Sequence, residues 1–241
     1  MLPYEPYGRP CRISKRRILN ALCYIVVTGG QWRLLPLSFP KWQIVYYHFR
    51  RWQKQGYWSR ICHMLRSLCR QWEGRHKHPT AACLDSQSFA GSCVIGERGY
   101  DAAKRIKGRK RHLLVDTQGL PLGVVVTGAN VSDSAGAKQL LKSLGRKRGI
   151  TKKLRLIWVD GGYKRGIIEW CDKWHSINMQ VVNAKPNQKG FAVQPRRWVV
   201  ERSFSWLNGH RRLARNYETL TQCSEAMIWL AFMQIMIKRL T

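Results

Sequence analysis

Acid is what this sequence lacks. Only 13 Asp and Glu stand against 43 Lys and Arg, a formal net charge of +30 over 241 residues. Self-repulsion at that level is unfavourable unless a polyanion supplies counter-charge, so the imbalance points to nucleic acid as the partner class. A structural RNA-binding protein would share this balance, and charge alone names no reaction. Nor are the cations a tail: residues 1–78 hold 15 basic and 2 acidic side chains, and residues 79–241 hold 28 and 11.

Other absences narrow the field. The eight Cys form no CxxC pair, and several sit in apolar runs such as Ala21-Leu22-Cys23-Tyr24-Ile25. Reduced, buried thiols are the simpler reading; a zinc site needs paired ligands that His76 and His78 do not supply. The opening Met1-Leu2-Pro3-Tyr4-Glu5-Pro6 has no apolar secretory segment. The most apolar stretch, 226–237, is 12 residues long and contains Gln234. It is too short to span a bilayer and reads as a buried helix. No internal repeat is visible.

What is present is enough apolar material for a core: 44% of the residues, including 11 Trp. A helix is expected over residues 14–29, where Ser14 can cap and Ile18, Leu19, Leu22, Ile25 and Val26 form one stripe before Gly29-Gly30. Further helices are expected over about 41–55 and 58–73. Their basic faces suit a helix-turn-helix-like DNA reader and equally a plain helical cap on the next domain. A domain boundary is placed after His78, giving a helical domain 1–78 and a second domain 79–241.

The pattern then changes to strands: 80–87, then 111–116 and 120–126 around a turn at Thr117-Gln118-Gly119, then 154–159 and 179–183. Helices are expected over 134–144 and 166–174, with a long one from about Arg196. That order is α/β with a mixed sheet.

In a chain so poor in acid, each carboxylate needs a reason. Glu218 and Glu225 read as solvated, Asp133 as a helix cap and Asp116 as bordering a turn. Asp85 follows the apolar Ala81-Ala82-Cys83-Leu84, and Asp160 follows Leu156-Ile157-Trp158-Val159 and precedes two glycines. A carboxylate in or at the end of a buried strand is costly unless paired or metal-bound, and such strand ends face the crevice where open α/β sheets bind ligands. For either one alone, a turn or capping Asp is the plainer account. On a helix, Arg197, Glu201, Ser205, Asn208 and Arg212 would share one stripe opposite Val199, Val200, Phe204 and Leu207. There an ordinary Arg197–Glu201 ion pair would explain Glu201 in isolation. Three carboxylates can also hold two divalent ions on a phosphodiester, activating the attacking oxygen and stabilising the leaving one.

Several ordered motifs resemble bacterial insertion-sequence DDE transposases of the insertion-sequence-five family. They are Leu84-Asp85-Ser86-Gln87-Ser88, the segment Gly99 to Asp116, Ala129-Asn130-Val131-Ser132-Asp133, Val159-Asp160-Gly161-Gly162-Tyr163 and Arg197 to Asn208. The segment Thr28 to Pro36 and the Trp42 to Trp52 run resemble that family's N-terminal domain. The resemblance implies a ribonuclease-H-like catalytic domain after a small all-helical one. It implies catalysis by Asp85, Asp160 and Glu201, which would be the metal ligands for two Mg²⁺ or Mn²⁺. It further implies cutting and joining at transposon terminal inverted repeats, target DNA as partner, and a homodimer or larger assembly on DNA. A bacterial cytoplasmic, nucleoid-associated location would follow.

Arg197 keeps the expected phosphate-gripping position, whereas Gln194 and Asn208 replace a Tyr and a Lys common in relatives. Further phosphate contacts are expected from Lys107, Arg109, Lys110 and Arg111 in the basic run, although such a run can instead guard a strand edge, and from Lys164, Arg202 and Arg212. The chain also starts later than many relatives, which would weaken end recognition. Two other functions share the chemistry or the charge: an immobile ribonuclease-H-like nuclease, and a decayed, non-catalytic DNA-binding derivative.

Overall fold

The computed structural model describes residues 13–91, 96–145, 153–182 and 197–241. The first helix, α1 (Lys15–Thr28), begins where the Ser14 hydroxyl accepts from the Arg17 N–H and stops at Gly29, whose φ of 73° and bond to the Ile25 carbonyl form a left-handed cap. After a one-turn 3-10 segment (Trp32–Leu34) come α2 (Trp42–Lys54) and α3 (Tyr57–Trp72), joined at Gly56, which has a φ of 69°.

The strands come next: β1 (Ala81–Ala90), β2 (Gly99–Asp101), β3 (Ile106–Asp116) and β4 (Pro121–Gly128). Then α4 (Asp133–Leu144), β5 (Leu156–Val159), α5 (Arg165–His175) and β6 (Asn178–Val181) alternate. The chain closes with α6 (Trp198–Asn208), a second 3-10 turn (Arg211–Leu213) and α7 (Thr221–Leu240). In the sheet, β1 lies between β3 and β5. β3 runs antiparallel to β1, β2 and β4, while β5 and β6 run parallel to β1. Four antiparallel strands, the three-residue β2 among them, extended by two parallel ones, with helices on both faces, is a ribonuclease-H-like arrangement.

Alternation along the strands divides the apolar residues between two cores. Cys83, Leu113, Val115, Val124, Val126 and Trp158 face α1–α3, α6 and α7. Ala82, Leu84, Leu114, Leu122, Ile157 and Val159 face α4 and α5. The expected boundary after His78 marks the change from helix to strand, but packing crosses it. Phe49, Trp52, Trp58 and Cys62 share one continuous core with Phe232, Met236 and the sheet. Each of those large side chains contributes about 1.5–3 kcal/mol by burial, so α1–α3 form a layer of the same body.

Polar contacts cross the same seam. Arg66 donates to the Pro121 carbonyl at 3.1 Å, and Arg70 meets Asp116 at 2.8 Å. On the other face, α4 comes very close to the sheet. A Cβ built on Gly136 would lie 2.1 Å from the His112 imidazole of β3, so only glycine fits there.

One expectation needed correction, and one strand was not anticipated. The long helix from Arg196 is broken after Asn208, because Gly209 ends α6 and Arg212 in the following turn is pinned by Glu218 and the Gly30 carbonyl. And β2, only three residues long, gave no periodic signal to read.

Candidate active site

The sheet brings two acids together. β1 and β5 pair in parallel as Ala81↔Leu156, Ala82↔Ile157 and Cys83↔Trp158. Continuing that register two residues sets Asp85 beside Asp160, on neighbouring strands about 4.8 Å apart. Asp85 lies within β1, where β3 still pairs it with Leu113, while Asp160 is the first residue beyond β5. The side chains are held locally: Asp85 Oδ1 accepts from the Ser86 N–H at 2.7 Å, and Asp160 Oδ1 from the Gly162 N–H at 3.0 Å. Burial, together with the Asp160 charge and against the Ser86 bond, pushes the Asp85 carboxyl up to about 7.

Arg197 connects this pair to α6. Its Nη2 donates to Glu201 Oε1 at 2.6 Å, one helical turn on. Burial opposes its charge, but the bond to Glu201 and the nearby Asp85 and Asp160 carboxylates outweigh burial and raise its pKa. The guanidinium is bonded to Glu201, and its charge also favours the ionised form of Asp85. Glu201 itself is exposed and turned to Arg197; among the described residues no three Asp, Glu, His or Cys side chains converge closely enough to hold an ion together.

The first turn of α4 braces both acids. Ser132, not Asp133, caps that helix. Asp133 instead accepts from Ser86 Oγ at 2.6 Å and from Lys110 Nζ at 3.0 Å. Ser134 accepts from the Lys164 N–H at 3.2 Å, at the end of the loop that leaves Asp160. Tyr163 completes the site: its ring is buried, its hydroxyl has no hydrogen-bond partner among the described residues, and burial with the Asp85, Asp133 and Asp160 charges raises its pKa far above the usual phenol range. Sequence reasoning missed the parts played by Asp133, Ser134 and Tyr163. Their spacing from Asp85 and Asp160 along the chain carries no period; only the fold unites them.

Several cations expected to touch DNA are consumed inside the protein. Arg109 donates to the carbonyls of Glu97, Glu218 and Thr219. Lys110 is buried between Asp133 and Asp101. Arg111 is buried against Gln87, Asn208 and the Leu213 carbonyl, and burial pushes its pKa down to about 10. Arg212 is buried against Glu218 at 2.7 Å. Arg202 is stacked at 4.5 and 4.7 Å over Trp198 and Trp206 and donates to the Gln118 carbonyl.

The run fails as a phosphate grip because β3 is interior to the sheet, flanked on both edges and covered on both faces. Lys107, at its exposed start, and Lys164 remain solvent-facing, and Arg197 is partly exposed. Two acids also move from surface to interior. Glu218 is the partner of Arg212, and Glu225 accepts from the Val126 N–H, with burial raising its carboxyl to about 7.

Two family models match the chain. Residues 76–236 match the family described as Transposase DDE domain, and residues 1–62 match one described as putative transposase of IS4/5 family. A putative transposase for insertion sequence element IS402 from Burkholderia cepacia is 30% identical over 139 residues. That match covers 56% of this chain and 64% of the relative's length. A solved structure, the Mos1 strand transfer complex, overlays on 98% of this chain and 79% of its own at 12% identity, with a TM-score of 0.33. That likeness is too slight to carry an argument about the site.

Proposed function

The chain belongs to the DDE transposase family, of insertion-sequence IS4/5 type, and from that premise we propose that it is a DNA transposase that cuts at element ends and joins them to target DNA. Both steps are in-line displacements at phosphorus. Water attacks in the first and a DNA 3′-hydroxyl in the second, with a 3′-oxygen leaving each time. The observation that carries this reading is the pair Asp85 and Asp160, which the β1–β5 register sets side by side when extended two residues, with the Arg197–Glu201 pair close enough for its charge to act on both.

The donor set fits hard divalent cations. It consists of carboxylate oxygens, one group with its pKa raised to about 7 by burial, in a negative field that raises the pKa of Arg197 nearby. Asp85 and Asp160 would hold Mg²⁺ or Mn²⁺, two ions in all, with Glu201 joining once Arg197 turns to a DNA phosphate. Such ions supply Lewis-acid stabilisation of charge on the attacking and leaving oxygens. The chain's own residues do the rest. Arg197 exchanges a carboxylate for a phosphate. Exposed Lys107 and Lys164 contact the backbone on either side. Asp133 and Ser134 keep the two strand acids in register. Because two ends must be joined, the working assembly on DNA is at least a homodimer.

Asp160→Asn is the decisive variant. It should lose Mg²⁺-dependent release of 3′-hydroxyl ends while binding DNA about as well as the parent. Full cleavage by that variant would overturn the assignment. An immobile nuclease of the same fold would cleave but would lack terminal inverted repeats beside its coding region, and a decayed derivative would bind without cleaving.

A further inference from the structure

Away from the acids lies a cavity of about 330 Å³ between the α2 layer and the segment that leads into α7. It shares no lining residue with the Asp85–Asp160 site. Its walls are Trp32, Trp42 and Tyr46 on one side and Tyr217 on the other, with Arg33 and Arg212 among them. Two of the rings are held by packing. Trp32 meets Tyr46 edge-on at 5.0 Å. Arg212 lies 5.9 Å from the Trp32 ring and 5.3 Å from the Tyr217 ring, and is itself fixed by Glu218 and the Gly30 carbonyl. Arg33 sits 5.8 Å over Trp42 at the exposed rim.

Elsewhere in this core, aromatic rings such as Trp52 and Trp58 fill space against one another. Here four rings surround open volume. Arg212 lies against Trp32 and Tyr217 and Arg33 over Trp42, and the ring surface that still borders the open volume favours a flat, apolar occupant. The charge of Arg212 is spent on Glu218, whereas Arg33 at the rim faces solvent beside Trp42, and the chain carries +30 overall. A planar group that arrives attached to a polyanion answers every part of that description. Aromatic walls interleaved with arginine are also the recurring chemistry of unpaired-strand binding, where every base offers a π face.

We propose that this cavity receives one unstacked nucleobase of the DNA partner, with Arg33 on the adjoining phosphate, and that it does so with little choice among bases. The inference rests on the DNA-binding reading and adds to it a site that grips unpaired DNA. Rigid walls lower the ordering cost of capture.

The test is fluorescence anisotropy of the full chain, without divalent ions, on three labelled probes: an oligothymidylate, the same backbone carrying abasic residues, and a fully paired duplex. The oligothymidylate should bind roughly 10-fold more tightly than the abasic strand of equal charge. Trp42→Leu should remove most of that difference and leave duplex and abasic binding within about twofold of the parent. Tyr217→Leu, at a half-exposed position on the opposite wall, should act alike and decides the matter if Trp42→Leu fails to fold.

Equal affinity of the parent for the base-bearing and abasic strands overturns the cavity's role. So does an unaltered preference in the folded variants. Neither of those outcomes touches the transposase reading as long as the duplex is bound. Failure of the parent to bind any of the three probes would overturn both.

Discussion

Asp116 ends β3 fully buried, beside Arg70 at 2.8 Å and accepting from the N–H groups of Gln118 and Leu120. Asp85, on the adjoining strand, accepts from Ser86 and otherwise faces Asp160, a second carboxylate. One acid is matched by the fold and the other is set against its own kind. The matched acid holds α3 to the β3–β4 turn. The mismatched one is buried without a hydrogen-bonded cation, and the Arg197 and Lys104 charges offset that burial only in part, so an added cation or proton relieves it further. In a chain so short of acid, being unmatched is the more telling property of a carboxylate.

The largest expected effect breaks the mismatched side: Asp160→Asn should lower Mg²⁺-dependent strand cleavage by at least about 10³-fold, several kcal/mol of transition-state stabilisation. Breaking the matched side should do the opposite kind of damage. Asp116→Ala strands the buried Arg70 charge and should cost about 3–5 kcal/mol of stability, seen as a melting temperature roughly 6–20 °C lower. Cleavage per folded molecule should be retained at low temperature. Loss of cleavage without loss of stability in that variant would erase the distinction between the two acids.

A smaller effect concerns pH. The carboxyls of Asp85 and Glu225 are raised from 3.8 and 4.5 to about 7. Through that window the folded state holds protons that the unfolded chain has lost, so stability should fall as pH rises from about 4 to about 7. Asp85→Asn should therefore stabilise the metal-free protein by about 1–3 kcal/mol at pH 8 and by little at pH 4. Mg²⁺ should raise the melting temperature of the parent at pH 8 and not that of Asp85→Asn; equal rises in both would remove Asp85 from the ion site. The smallest effect separates exposed from buried cations. Lys164→Ala should reduce the slope of log affinity against log salt by about 1, whereas Arg111→Gln should lower stability and leave that slope unchanged.

Much of this architecture was legible because local rules governed it. Ser14 and Gly29 bracket α1 as capping chemistry requires, and the turn at Thr117-Gln118-Gly119 separates two strands where expected. Asp85 and Asp160 stood out because apolar strand residues precede both. The basic run misled for a physical reason: a row of cations looks solvated until β3 is known to be central, and then each one needs a buried acceptor. Glu97, Asp101 and Asp133 provide several of those acceptors, from segments the linear pattern does not connect with Arg109 or Lys110. Glu218 was hidden differently: it lies six residues from Arg212, and the two meet only because the expected helix is broken between Asn208 and Thr221.

Gly136 gives this arrangement its tolerance. Because it has no side chain, α4 rests directly on the His112 ring, and that seat fixes how far Asp133 and Ser134 extend toward Ser86 and Lys164. A methyl group at Gly136 would act as a shim, lifting the helix off its bearing and slackening both braces together. Inheritance of the spacing between the two strand acids thus depends on an uncharged position outside the pair, and drift there would detune the site without altering either carboxylate.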